Sequence, residues 1–141
     1  MKIVLDTNVL MSGIFFSGPP YQILKAWQKD KFNIVISENI LTEYQRVAEE
    51  LSKQYPSVHI EPILELLTIH AEMVDTHGFN VTVCEDPDDN MFISCALASK
   101  SKIIVSGDKH LLKVSEYQRI VVVKPRVFID KEREINKLNK N

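Results

Sequence analysis

Met1-Lys2-Ile3-Val4-Leu5-Asp6-Thr7-Asn8 is the stretch that decides the fold. Ile3, Val4 and Leu5 follow one another with nothing polar between them. That is the pattern of a strand covered on both faces, which parallel sheets produce. The run stops abruptly at Asp6-Thr7-Asn8. In open α/β sheets ligands sit just beyond the carboxyl ends of the strands, so Asp6 marks where a site is expected.

Outward from this strand, the chain alternates helical and extended patterns. Val9 to Pro20 starts apolar and ends as a loop at Ser17-Gly18-Pro19-Pro20, and the Phe15 and Phe16 rings are expected to be buried. The prolines start a helix over Tyr21–Lys31 with Ile23, Leu24 and Trp27 facing inward. Phe32–Ile36 is a second strand. Ser37 caps a long helix reaching Tyr55, with Ile40, Leu41, Tyr44, Val47, Ala48 and Leu51 as its apolar stripe. Val58–Met73 has helical spacing, Met73–Asp75 is a short strand and Thr76–Asp86 is irregular. Pro87 opens a mostly apolar helix to Lys100. Lys102–Val105 is a strand, Lys109–Lys113 a short helix and Arg119–Val123 the last strand. Such alternation specifies a three-layer α/β/α architecture around a parallel sheet of four to five strands with right-handed crossovers. One domain over residues 1–128 is expected, followed by a charged tail over 129–141.

Composition narrows the function. Hydrophobic content of 45% with 26% charged residues is that of a globular protein. No apolar stretch approaches the roughly 18 residues of a membrane span, and neither a signal peptide nor a membrane partner is expected. Cys84 and Cys95 lack metal-type spacing, which points to a reduced, cytoplasmic setting. A net charge of −2 argues against a protein that coats nucleic acid, though not against an enzyme that grips it locally. No phosphate-cradling glycine loop, dinucleotide fingerprint or serine-nucleophile elbow is present. Asp6 also lacks the Asp-x-Asp spacing of aspartyl phosphatases. His59, His70, His77 and His110 are scattered, and surface or structural roles are expected for them.

The acids fall in a more telling way. Asp6 ends the first strand, and Asp108 follows the strand at Lys102–Val105. Glu43 lies about 9 Å into the helix that leaves the second strand, on the border of its buried stripe. Asp89 is in the first turn of the helix that feeds strand Lys102–Val105, running antiparallel to it. All four are therefore expected at one sheet edge. Two carboxylates about 5 Å apart repel by roughly 3 kcal/mol at an effective dielectric of 20. Four together need either protonation or a hard divalent cation, and all-oxygen ligation suits Mg²⁺ or Mn²⁺ rather than Zn²⁺. Individually, Asp89 and Asp108 also fit helix-capping roles and Glu43 a plain surface role.

Four segments together carry a family resemblance: Ile3-Val4-Leu5-Asp6-Thr7-Asn8-Val9-Leu10, Ser37-Glu38-Asn39-Ile40-Leu41-Thr42-Glu43-Tyr44, Asp86-Pro87-Asp88-Asp89-Asn90-Met91-Phe92 and Val105-Ser106-Gly107-Asp108-Lys109-His110-Leu111-Leu112. In this order the chain resembles the PIN-domain family of metal-dependent nucleases, and it looks like the toxin components of prokaryotic VapBC-type toxin–antitoxin pairs. Pro125-Arg126-Val127-Phe128 resembles the segment that closes that subgroup. The resemblance implies that Asp6, Glu43, Asp89 and Asp108 are catalytic and bind Mg²⁺ or Mn²⁺. It also implies that Asn8, Ser106 and Asp88 lie around the metal, with Asp88 able to share or replace Asp89's role; Glu85 and Asp86 crowd that same assignment. The implied reaction is hydrolysis of an RNA phosphodiester by metal-activated water, leaving a 5′-phosphate and a 3′-hydroxyl. Lys109 and Arg46, with Lys100 and Lys102, are candidate phosphate contacts. A small antitoxin protein and a homodimer are the implied partners. The alternative is a catalytically weak PIN-like module that binds RNA or protein.

Overall fold

The computed structural model describes residues 1–139. In chain order the elements are β1 (Lys2–Leu5), α1 (Thr7–Phe15), α2 (Pro19–Gln28), β2 (Asn33–Ile36), α3 (Glu38–Gln54), α4 (Glu61–His70), β3 (Glu72–Met73), a 3₁₀ turn at Pro87–Asp89, α5 (Asn90–Ser99), β4 (Ile103–Val105), α6 (Lys109–Lys113), a 3₁₀ turn at Tyr117–Arg119, β5 (Val121–Val123) and α7 (Pro125–Asn139). Among the described residues no helix is long and apolar enough to cross a membrane.

The strands form one five-stranded parallel sheet in the order β3-β2-β1-β4-β5. β1 is central, and Ile3, Val4 and Leu5 are fully buried. α5 packs across β1, β2 and β4, while α2 packs on both α1 and α7. The chain leaves β1 towards β2 and β3 and later returns to β4 on the other side. Right-handed crossovers then place the two sets of helices on opposite faces, giving three layers. The gap beyond the carboxyl ends of β1 and β4 is consequently the topological switch point, where such sheets bind ligands.

Register sets the site. Leu5 lies opposite Val105 in the β1–β4 ladder, so the next residues, Asp6 and Ser106, leave the sheet side by side. The Asp6 amide still donates to the Val105 carbonyl at 3.0 Å, and the Ser106 amide to that of Val123 at 2.9 Å.

Several boundaries differ from expectation for local reasons. α4 starts at Glu61 rather than Val58, because Pro62 is tolerated only in the first turn of a helix. β5 starts at Val121 rather than Arg119, because Arg119 has φ 68° and cannot extend. Phe16 is exposed; its ring meets Tyr55 edge-on at 5.4 Å instead of entering the core. α7 runs straight through the expected boundary at residue 128. Phe128 and Ile129 are core residues, and the Phe128 ring stands edge-on to Phe32 at 5.2 Å. The last two residues of the expected tail, 140 and 141, lie outside the described residues.

Candidate functional site

Asp6 is the N-cap of α1 and is buried. Its Oδ2 accepts a 2.7 Å hydrogen bond from Ser106 Oγ. The same hydroxyl oxygen accepts from the Asp108 amide at 2.9 Å. One fully buried serine therefore ties the acid at the end of β1 to the loop carrying the acid beyond β4. Asp108 in turn caps α6, with Oδ1 accepting from the His110 amide at 2.7 Å. Capping is thus a real role for Asp108, and it uses one of two carboxylate oxygens. Burial raises the Asp6 carboxyl above its ordinary value; the Ser106 hydroxyl opposes the rise and the nearby Asp108 charge adds to it.

Asp89 arrives from the opposite direction, at the end of the 3₁₀ turn that leads into α5. That turn is held by Asp86, whose side chain accepts from the Asp88 amide at 3.0 Å. The neighbouring Asn90 Oδ1 accepts from the Cys84 amide at 3.0 Å and pins the preceding loop. Asp89 Oδ2 is buried and has no hydrogen-bond partner among the described residues. Burial, then the charges of Asp108 and Asp6, push its carboxyl up to about 6. A buried acceptor without a donor carries a desolvation penalty, and here two more acids face it.

Glu43 flanks this group from α3. Its Oε2 accepts from Thr7 Oγ1 at 3.4 Å, and its Oε1 accepts from Arg46 Nη2 at 2.7 Å. Tyr44, beside it, is fully buried and its hydroxyl donates to the Leu5 carbonyl, fastening α3 to the end of β1. Burial, with smaller effects from Cys95, Asp6 and Glu43, raises the Tyr44 phenol well above its usual value, so it stays a donor.

Asp6, Asp89 and Asp108 therefore share one electrostatic neighbourhood at the switch point, with Glu43 at its side. The donor set is carboxylates plus a hydroxyl, and one buried oxygen lacks a donor. That chemistry fits a hard divalent cation. Among the described residues, however, no three His, Cys, Asp or Glu side chains stand close enough to share one ion. Asn8, Asp88, Lys109 and Arg46 are exposed on the surrounding surface. Lys100 and Lys102 are a correction: with Met1 and Lys2 they line a cavity that includes the start of β4, at the edge away from the acids. Thr7 and Tyr44 are the residues that sequence reasoning missed as parts of the site. Thr7 was legible only as the polar neighbour of Asp6, and Tyr44 only as a core position whose hydroxyl needs an acceptor.

A groove of about 460 Å³ runs past Glu43, between Asn39, Thr42 and Arg46 of α3 and Asp88 and Met91 across from them. Burial lifts the Cys84 thiol, behind the acids, to about 11, with Asp89 next in effect. It is a packing group rather than a nucleophile at neutral pH.

Comparison with known proteins agrees with this fold. The model of the PIN domain family matches residues 2–110, a span that includes all four acids. The chain is 31% identical over 128 residues to the uncharacterized protein MJ1680 of Methanocaldococcus jannaschii, covering 87% of this chain and 81% of that one. Among solved structures it resembles VapBC2 from Rickettsia felis, captured bound to a DNA fragment from its promoter. There the TM-score is 0.58 at 18% identity, over 88% of this chain and 98% of the other. At that identity the likeness speaks for the fold. By its matching segments and its sheet, the chain belongs to the PIN domain family.

Proposed function

We propose that the protein is a metal-dependent endoribonuclease and the toxin of a type II toxin–antitoxin pair. One observation carries the nuclease reading: the Asp89 carboxylate has a buried Oδ2 to which no described residue donates and feels the charges of Asp108 and Asp6 at the switch point. Such a group gains most from a bound cation. Asp6, Asp89 and Asp108, drawn closer together than they stand in this structure, would hold Mg²⁺ or Mn²⁺, with Glu43 completing the set. When bound, the ion would polarise the phosphoryl oxygen and supply hydroxide at neutral pH.

The chain's own groups have separable tasks. Ser106 fixes the Asp6 carboxylate and the Asp108 backbone in one arrangement, and Thr7 steadies Glu43. Asn8 and Asp88 would hold water at the margin. Lys109 would meet a phosphate beside Asp108, and the groove past Glu43 would receive a single strand. The toxin reading extends the likeness to VapBC2, and implies a small antitoxin partner and a homodimer.

The test is purified protein incubated with tRNA and mRNA in Mg²⁺, Mn²⁺ or EDTA, beside Asp6→Asn. Cleavage that needs metal and is lost in a folded Asp6→Asn protein is the expected result. Wild-type protein inert under every metal would return the chain to a binding module. Growth arrest on expression, relieved by the product of a small neighbouring reading frame, tests the toxin assignment. A monomer in light scattering removes the dimer.

A further inference from the structure

Glu43 differs from its neighbours in having a cation of its own. Among the described residues, neither Lys nor Arg forms an ion pair with Asp6, Asp89 or Asp108, whereas Arg46 contacts Glu43 at 2.7 Å and Glu50 at 3.2 Å. The three residues follow one face of α3 at i, i+3 and i, i+4 spacings from Arg46. Both Glu43 oxygens are engaged, one by the guanidinium and the other by Thr7 at 3.4 Å. The first contact is short and charge-assisted, the second long and neutral, so the guanidinium dominates. The Glu43 side chain is 23% exposed, while that of Arg46 is 58% exposed and lines the groove opposite Asp88 and Met91. The cation that occupies the carboxylate is thus itself open to an incoming anion.

We propose that Arg46 is a latch on Glu43. It holds this carboxylate in an internal ion pair, and a substrate phosphodiester that takes the guanidinium frees Glu43 for the metal. Arg46 is a positioning residue in this scheme, acting on the ion through Glu43. The inference rests on the metal-nuclease reading above. Since coupling between two ligands is reciprocal, phosphodiester and metal each tighten the other's binding.

The test is Mn²⁺ titration by calorimetry at fixed pH and physiological salt. It compares wild type, Arg46→Gln and Lys109→Gln, each with and without a cleavage-resistant 2′-O-methyl phosphorothioate oligonucleotide. Lys109→Gln removes one positive charge beside Asp108 without touching Glu43, and so measures the general electrostatic effect. Without oligonucleotide, Arg46→Gln is expected to bind Mn²⁺ about two- to five-fold tighter than wild type, the scale of a surface ion pair, and tighter than Lys109→Gln. The oligonucleotide should tighten Mn²⁺ in wild type and leave Arg46→Gln nearly unchanged. A gain in Arg46→Gln no larger than in Lys109→Gln overturns the latch, as does equal tightening by oligonucleotide in wild type and Arg46→Gln. Both outcomes leave the metal reading intact. Wild-type protein that binds no Mn²⁺ overturns that reading, and the latch with it.

Discussion

Asp89 and Glu43 sit on the same edge of the same sheet and meet opposite fates. Asp89 is pressed among acids with a buried oxygen to which no described residue donates, and its carboxyl rises to about 6. Glu43 has Arg46 at 2.7 Å and a hydroxyl from Thr7. Asp89 has no Lys or Arg ion-pair partner among the described residues, while Glu43 carries a cation of its own. The difference teaches where uncompensated negative charge is stored in this fold: on the Asp6–Asp89–Asp108 side of the site, rather than spread evenly over the four acids.

The sharpest way to break this contrast is to neutralise each acid in turn. Asp89→Asn should lower metal-dependent cleavage by about 100-fold or more, the scale seen when electrostatic groups at a reacting centre are removed. It should also stabilise the metal-free protein at pH 7 by about 1 kcal/mol, after discounting the full shift for partial exposure. Glu43→Gln should also lose activity but gain no stability, since it breaks an existing pair. Equal stability changes in chemical denaturation would erase the distinction.

Metal should act on the same charge. At 100 times its dissociation constant, Mn²⁺ is expected to stabilise the folded state by about 2.7 kcal/mol. For a chain of this size that corresponds to roughly 10 °C in thermal unfolding. Asp89→Asn should lose most of the gain. A wild-type melting curve that ignores Mn²⁺ speaks against the metal site. Ser106→Ala comes next in size. It leaves the Asp6 carboxylate without its hydroxyl donor and the Asp108 amide without its acceptor. A loss of about 1–2 kcal/mol in stability and a 10- to 100-fold drop in cleavage are expected, and full activity would show that Ser106 is only a turn residue.

Much of this was legible in the chain. The apolar run Ile3-Val4-Leu5 and the alternation after it specify a parallel sheet, and strand ends locate Asp6 and Asp108. Other parts were hidden for identifiable reasons. The start of α4 is written in Pro62, a rule available from sequence alone. The positive φ of Arg119 is not, because nothing about an arginine announces it. α7 carries enough charge to read as a tail, while Phe128 and Ile129 sit in the core. Arg46 has the spacing of an ion-pair partner for Glu43 and Glu50, yet a lone arginine near acids reads equally as a phosphate contact. Lys100 and Lys102 flank the start of β4, and strand direction alone sends them to the far edge.

The smallest expected effect follows from the sign of the Asp89 shift. Its carboxyl titrates near 6 in the folded protein, against 3.8 as the ordinary value. A raised folded value means that the folded state holds its proton more tightly than the unfolded chain. The resulting stabilisation is complete below about pH 4 and is lost as pH rises through 6. Asp6 is shifted in the same direction. In EDTA, wild-type stability should therefore fall between pH 5 and 7 by about 1 kcal/mol more than that of Asp89→Asn, allowing for solvent screening. With saturating Mn²⁺ the fall should flatten, because ligands must shed protons to bind a metal, so the gain from Mn²⁺ grows over the same interval. Denaturant titrations at pH 5, 6 and 7 measure both slopes. Parallel slopes for wild type and Asp89→Asn in EDTA would mean that the Asp89 carboxylate finds enough water to ionise freely, and that the contrast with Glu43 is one of geometry alone.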